Sequence, residues 1–156
     1  MSEKNFSLDV DQDGIALVSW DMPGRSMNVI DLAVIEELAV IVDKVTTDPA
    51  IKGAVVTSAK DTFSGGADLT MLKGLNQVFA DLLRTQGEEA AAAMLFEESR
   101  KLSLLYRRLE TGGKPWVAAI NGTALGGAFE LCLACHHRVA VDDGSISLGL
   151  PGATVK

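Results

Sequence analysis

The apolar run Trp116-Val117-Ala118-Ala119-Ile120 leads directly into Asn121-Gly122-Thr123-Ala124-Leu125-Gly126-Gly127-Ala128-Phe129-Glu130, and no other segment constrains the fold as tightly. The pattern is a strand, a glycine-rich turn, and a helix with a carboxylate in its first turn. Glycines let a ligand approach the main chain closely. The helix start presents unpaired N–H groups and a partial positive charge, a seat for an oxyanion. Glu130, about one turn further on, adds an acid/base group. This combination suits enolate chemistry. The plain alternative is a tight connection whose first-turn glutamate is favoured by the helix dipole, worth ~0.3–1 kcal/mol.

A second turn of the same kind lies upstream. Gly53-Ala54-Val55-Val56-Thr57-Ser58 reads as a buried strand, and Phe63-Ser64-Gly65-Gly66-Ala67-Asp68 precedes another helical stretch. Two such turns can aim two N–H donors at one oxygen, although each alone is common in α/β proteins.

The remaining pattern agrees with an α/β fold. Phe6 to Val10 and Ile15 to Trp20, joined at Asp13-Gly14, predict a hairpin. Asp31 caps a helix whose Leu32, Ile35, Leu38, Ala39 and Val42 predict one buried face, ending before Asp48-Pro49. A strand over Ile51 to Ser58, a helix start at Asp68 and helical stretches over 74–87 and 88–109 follow. In the second stretch Met94, Leu95, Leu102, Leu105 and Leu109 are the expected core positions. Leu72, Leu75 and Phe79 are candidates to line an apolar ligand pocket. A helix over Gly127 to Ala134 and strands over Arg138 to Val141 and Ser145 to Leu148 complete the pass, with no repeat visible.

Composition excludes several classes. At 156 residues the chain is one domain by length, and 47% hydrophobic residues exclude disorder. That apolar share suits a subunit with an oligomer interface, or a fragment. A formal net charge of −7 argues against nucleic acid as a partner. No membrane span or secretory signal is visible, so a cytoplasmic protein is expected. No Gly-x-Gly-x-x-Gly follows a strand, so no dinucleotide site is expected.

Cys132, Cys135 and His136 spell Cys-x-x-Cys-His, a string shared with haem attachment and with zinc sites. There is no export signal for haem, and His137 is the one further Cys or His in the chain. Two small thiols packing a core helix, with no metal, is the expected reading.

The chain resembles the crotonase (enoyl-CoA hydratase/isomerase) superfamily. Within it, the likeness is to the N-terminal hydratase part of multifunctional fatty-acid β-oxidation α-subunits, which carry a 3-hydroxyacyl-CoA dehydrogenase domain further on. The matching stretches are Asp21 to Val29, Phe63 to Leu69, Gly113 to Gly122, and Leu125 through Leu131 to Ala140. The resemblance implies a spiral of β-β-α units and a coenzyme A thioester as substrate, with no cofactor within this chain. It implies that the N–H groups of Ala67 and Gly127 form an oxyanion hole and that Glu130 is one of two glutamates handling water and the α-proton. It places coenzyme A along Ser64, Gly65, Gly66, Ala67, Asp68 and Leu69, with Arg25 the first choice for its phosphates and Lys60, Lys73 and Lys114 the others considered. A homo-oligomer, commonly a trimer, or a complex with a thiolase is implied for an intact parent.

One position departs from the family pattern. After Leu148-Gly149-Leu150-Pro151 the family carries its second glutamate, and here Gly152 stands, shortly before Lys156. The expectation is therefore a C-terminally truncated crotonase fold, with residues 1–156 forming the N-terminal portion of one hydratase domain. Three readings stay open: a hydratase adding water to a 2-enoyl-CoA, a binding module or fragment without turnover, and an isomerase. The missing glutamate counts against isomerisation.

Overall fold

The computed structural model describes residues 4–153. Strands β1 (Phe6–Val10) and β2 (Ile15–Trp20) form the expected antiparallel hairpin, with Phe6 opposite Trp20. Helix α1 (Leu32–Thr47) follows, then β3 (Gly53–Ser58), α2 (Leu69–Gln86), α3 (Glu88–Thr111) and β4 (Trp116–Ile120). The chain continues through β5 (Ala124–Leu125), α4 (Gly127–Ala134), β6 (His137–Ala140) and β7 (Leu148–Gly149), and ends its described part in a 3-10 turn at Pro151–Ala153.

The main sheet has the order β1-β2-β3-β4-β6, parallel from β2 onward. Strand alternation buries Ala16, Val18, Trp20, Ala54, Val56, Trp116, Ala118 and Ile120 on one face. Trp20 stacks on Phe6 at 5.4 Å and meets Phe63 edge-on at 6.2 Å. On the opposite face Ile15, Leu17 and Val139 are exposed.

The cap of α1 is as expected: Val34 N–H donates to Asp31 Oδ1 at 2.8 Å. Its buried stripe is the expected one except at its start: Leu38 and Val42 are in the core, and Ile35 and Ala39 pack against it. Val34, Leu38, Ile41, Val42 and Val45 face the core, whereas Leu32 is 51% exposed. The reason is that α1 meets both β1 and α3, so its contact face is set by two neighbours. In α3 the buried residues are Ala91, Leu105, Tyr106 and Leu109, while Leu95 is exposed. Helix α2 runs unbroken through Gly74 and buries no residue fully.

A second, smaller ladder was not visible in the sequence. β5 pairs in parallel with β7, Ser64 bridges in parallel to Ala124, and Ile30 bridges in parallel to Ala67. Each passage of the chain therefore contributes a strand to the main sheet, a short extended piece to this ladder, and then helix. This is the β-β-α spiral. β7 lies at Leu148–Gly149 rather than at Ser145, because Ser147 is the residue whose carbonyl accepts from Ala124 N–H and aligns the pair.

Candidate active site

The two glycine turns meet main chain to main chain. Ser64 N–H donates to Thr123 O at 3.0 Å, and Leu125 N–H donates to Ser64 O at 3.1 Å. Gly66 adopts φ 91°, and a Cβ placed there would lie 2.7 Å from Leu125 O. Only glycine permits both that φ and that approach. Asn121 closes the contact further back, donating from Nδ2 to Ser58 O and Lys60 O at 3.0 and 2.9 Å. At Gly122 a Cβ would lie 2.8 Å from Thr62 Cα and inside contact distance of Asp61 O. The Asn-Gly pair is thus where two loops touch.

A third segment fixes the direction of the first turn. Ile30 N–H donates to Gly66 O and Asp68 N–H donates to Ile30 O, both at 2.8 Å. In parallel pairing the residue between those two partners turns its own N–H the other way. Ala67 N–H therefore faces the Ala124–Gly127 side. On that side Gly127 opens α4, and the N-cap Gly126 supplies no capping side chain. Among the described residues, neither the Ala67 nor the Gly127 N–H has an acceptor. Both predicted donors thus lie on the two turns that touch at Gly66.

Glu130 lies over the same turn. A Cβ placed on Gly127 would fall 3.8 Å from Glu130 Oε2, 3.0 Å from Ile30 Cδ1 and 3.3 Å from Leu102 Cδ2. The carboxylate is solvent-exposed and borders an apolar wall. Tyr106, buried on α3, donates its hydroxyl to Gly127 O at 2.7 Å. Burial pushes its phenol well above the usual 10.0, and the nearby Glu130 charge adds to this.

Other predicted site residues hold the loops together. Ser64 is buried, with its hydroxyl donating to Asn28 O and accepting from Gly66 N–H. Asp68 Oδ1 accepts from Thr70 and Met71 N–H, capping α2, while its Oδ2 takes Arg25 Nη1 at 2.8 Å. The Met71 N–H, followed by Arg25 and the Thr70 N–H, holds the Asp68 carboxyl below its usual range. Arg25 keeps 47% of its side chain exposed, and Leu69 is 72% exposed. Gly65 N–H donates to Asn28 O. Lys60 is tied to Asp21 at 2.6 Å and Lys114 to Asp48 O, both outside the grooves beside this site. Lys73 is exposed on α2.

A groove of about 720 Å³ runs beside Arg25 and Asp68, walled by Met71, Leu75, Met94 and Lys101. A slightly larger one, about 760 Å³, lies by Phe6, Leu8 and Val40, away from the glycine turns. The smaller reaches the end of the first glycine turn at Asp68, but Ala67, Gly127 and Glu130 do not line it. Leu75 lines it, but Leu72 and Phe79 do not. Met71, Leu75 and Val78 share one helical face, whereas Leu72 and Phe79, seven residues apart, share the next.

The Cys-x-x-Cys-His string is structural. Cys132 and Cys135 are buried free thiols, each pushed up to about 12 chiefly by burial. His136 Nδ1 accepts Trp116 N–H at 3.1 Å and so joins the sheet pairing. Among the described residues no group of three or more His, Cys, Asp or Glu is placed to hold a metal ion.

Asn28 and Tyr106 carried no role in the sequence reading. Asn28 is fully buried, accepting from Met22 N–H and donating to Trp20 O, Ser58 Oγ and Phe63 O. An asparagine between Met27 and Val29 is a local signal for a buried polar hub. Tyr106, the chain's single tyrosine, has none.

Known proteins are similar to this chain in sequence and fold. Residues 11–153 match the enoyl-CoA hydratase/isomerase family. The fatty acid oxidation complex subunit alpha of Shewanella sp. (strain W3-18-1) is 39% identical over 150 residues, covering 96% of this chain and 19% of that protein. Its counterpart in Idiomarina loihiensis is 36% identical over 151 residues, with the same coverage. The chain thus spans about a fifth of these relatives' length. An enoyl-CoA hydratase structure from Bacillus anthracis superposes with a TM-score of 0.73 at 31% identity, over 97% of this chain and 52% of that one. An enoyl-CoA hydratase from Geobacillus kaustophilus, at 22% identity and TM-score 0.77, shares the fold. With its paired glycine turns and its ladder of short parallel bridges, the chain belongs to the enoyl-CoA hydratase/isomerase family.

Proposed function

We propose that this chain is the N-terminal portion of an enoyl-CoA hydratase domain of fatty-acid β-oxidation. Water would add across the 2,3-double bond of an enoyl-CoA: oxygen bonds to C3, the π electrons move toward the thioester carbonyl, and C2 takes a proton. The observation that carries this reading is the pair of unclaimed N–H groups, Ala67 and Gly127, on turns locked together at Gly66. Fixed donors stabilise the enolate oxygen, and removing one such donor costs about 2.7–4 kcal/mol in other enzymes. Glu130 is the general acid/base, a role worth ~10²–10⁴-fold.

Coenzyme A would lie along the Ser64–Leu69 loop, passing close to the main chain of Gly65, Gly66 and Ala67 and the exposed side chain of Leu69. Ser64 and Asp68 shape the loop from beneath. The free face of Arg25 would meet a phosphate. The groove beside Met71 and Leu75 has room for the acyl or pantetheine arm. Relatives named as subunits of a fatty acid oxidation complex favour an assembled parent; the family resemblance, not their names, adds a trimer or thiolase-containing complex, a cytoplasmic location and a dehydrogenase domain to the proposal. No helix among the described residues is long and apolar enough to cross a membrane.

A second reading, binding without turnover, is favoured by one observation. Gly152 occupies the position of the family's second glutamate, and a Cβ there would meet nothing within 4 Å. Isomerisation, which leans on that glutamate, is disfavoured for the same reason.

The test is hydration of crotonyl-CoA by the purified chain, followed by loss of the enoyl-thioester absorbance, beside Glu130→Gln. Turnover abolished in the variant supports the hydratase. Thioester binding without turnover in either protein selects the binding module, and no binding by either removes both.

A further inference from the structure

Helix α4 is short, eight residues, and starts at the glycine cap Gly126 without a side-chain hydrogen bond. A capping side chain there would compete with a ligand for the first-turn N–H groups. Something else must hold that turn still. Leu102 and Tyr106 are four residues apart on α3 and so share one face. Both reach the same residue: Leu102 Cδ2 lies 3.3 Å from the Cβ position of Gly127, and Tyr106 Oη is 2.7 Å from Gly127 O. A buried hydroxyl needs a partner. This one takes the carbonyl of the residue that supplies the oxyanion N–H, with the Glu130 charge close by.

We propose that Tyr106 is a positioning residue, whose hydroxyl bond to Gly127 O sets the orientation of the first turn of α4 and with it the Gly127 N–H and the Glu130 carboxylate. The inference rests on the oxyanion reading above. A phenylalanine would keep the ring in the buried core and lose the bond. It would leave Gly127 with the helix's own hydrogen bonding and apolar contact, a weaker directional constraint on the donor.

The experiment uses a chromophoric thioester, dimethylaminocinnamoyl-CoA, whose absorption band moves to longer wavelength as its carbonyl is polarised. Bound to the chain at saturation, it should show a clear red shift. Tyr106→Phe should bind within about threefold of the wild-type Kd yet show a reduced band shift, and alkaline or thermal unfolding should confirm a folded variant. A purely structural role would weaken binding or stability without altering the band at saturation. A full shift in Tyr106→Phe overturns the proposal while leaving the oxyanion reading intact. No shift in the wild type removes that reading and the proposal together. If Tyr106→Phe does not fold, 3-fluorotyrosine placed at the one tyrosine keeps the hydroxyl. Its fluorine resonance must then move on thioester binding, and a stationary resonance overturns the proposal.

Discussion

Ser64 Oγ donates to the main-chain carbonyl of Asn28 at 2.9 Å, and Gly65 N–H donates to the same oxygen at 3.0 Å. The Ser64–Asp68 turn is therefore fastened to a residue 36 positions before Ser64, whose own side chain is locked to Met22, Trp20, Ser58 and Phe63.

Replacing Asn28 with alanine leaves Met22 N–H and Phe63 O without a partner, while Trp20 O and Ser58 Oγ keep their other bonds. An unsatisfied buried group costs about 1–3 kcal/mol, so Asn28→Ala should lower stability by about 3 kcal/mol or more. Urea denaturation measures it. A loss below about 1 kcal/mol would show that water replaces the side chain and that the hub is dispensable.

The glycines separate into two kinds. Gly122→Ala must push Thr62 and Asp61 away and should cost about 1–3 kcal/mol. Gly74→Ala, inside α2 with open space around its Cβ, should instead stabilise by about 0.5–1 kcal/mol. Thermal midpoints moving in opposite directions confirm the pair; equal shifts contradict the geometry.

Asp68 makes stability depend on acid. Its carboxyl in the folded chain sits below the ordinary 3.8, held by the Met71 N–H, Arg25 and the Thr70 N–H. The contribution is therefore full above that ordinary value and is lost as pH falls through the folded-state value. Asp68→Asn keeps a capping side chain but no charge. Its stability deficit relative to wild type should be present near neutrality and shrink below pH 3.8. A deficit unchanged with pH would remove the charge from the account.

Which parts of this were legible depends on range. The two glycine turns, the cap at Asp31 and the helix start at Asp68 follow from local chemistry, and all stand where the residue types put them. The second ladder was illegible because its pieces are two residues long or single bridges, too short for any period. The burial of Val34 in place of Leu32 on α1 escaped for a related reason, since both are apolar and only the neighbours choose between them. Tyr106 was hidden because its partner lies 21 residues away on another helix.

The two thiols should be inert in the folded chain. Burial pushes both to about 12, so the thiolate is scarce at neutral pH and access is closed as well. Iodoacetamide should label neither Cys132 nor Cys135 until denaturant is added, and then both. Native labelling at pH 8 would require α4 to open locally.

The ladder at the glycine turns draws its rungs from Asn28–Ile30, Ser64–Asp68, Ala124–Gly126 and Ser147–Gly149. Contacts that far apart in sequence form slowly and together. The contact between the glycine turns should therefore close in the final, rate-limiting step of folding, and on the proposed function thioester binding would return with it. Recovery of thioester binding can then serve as a clock for refolding, running in step with the slowest phase seen in tryptophan fluorescence.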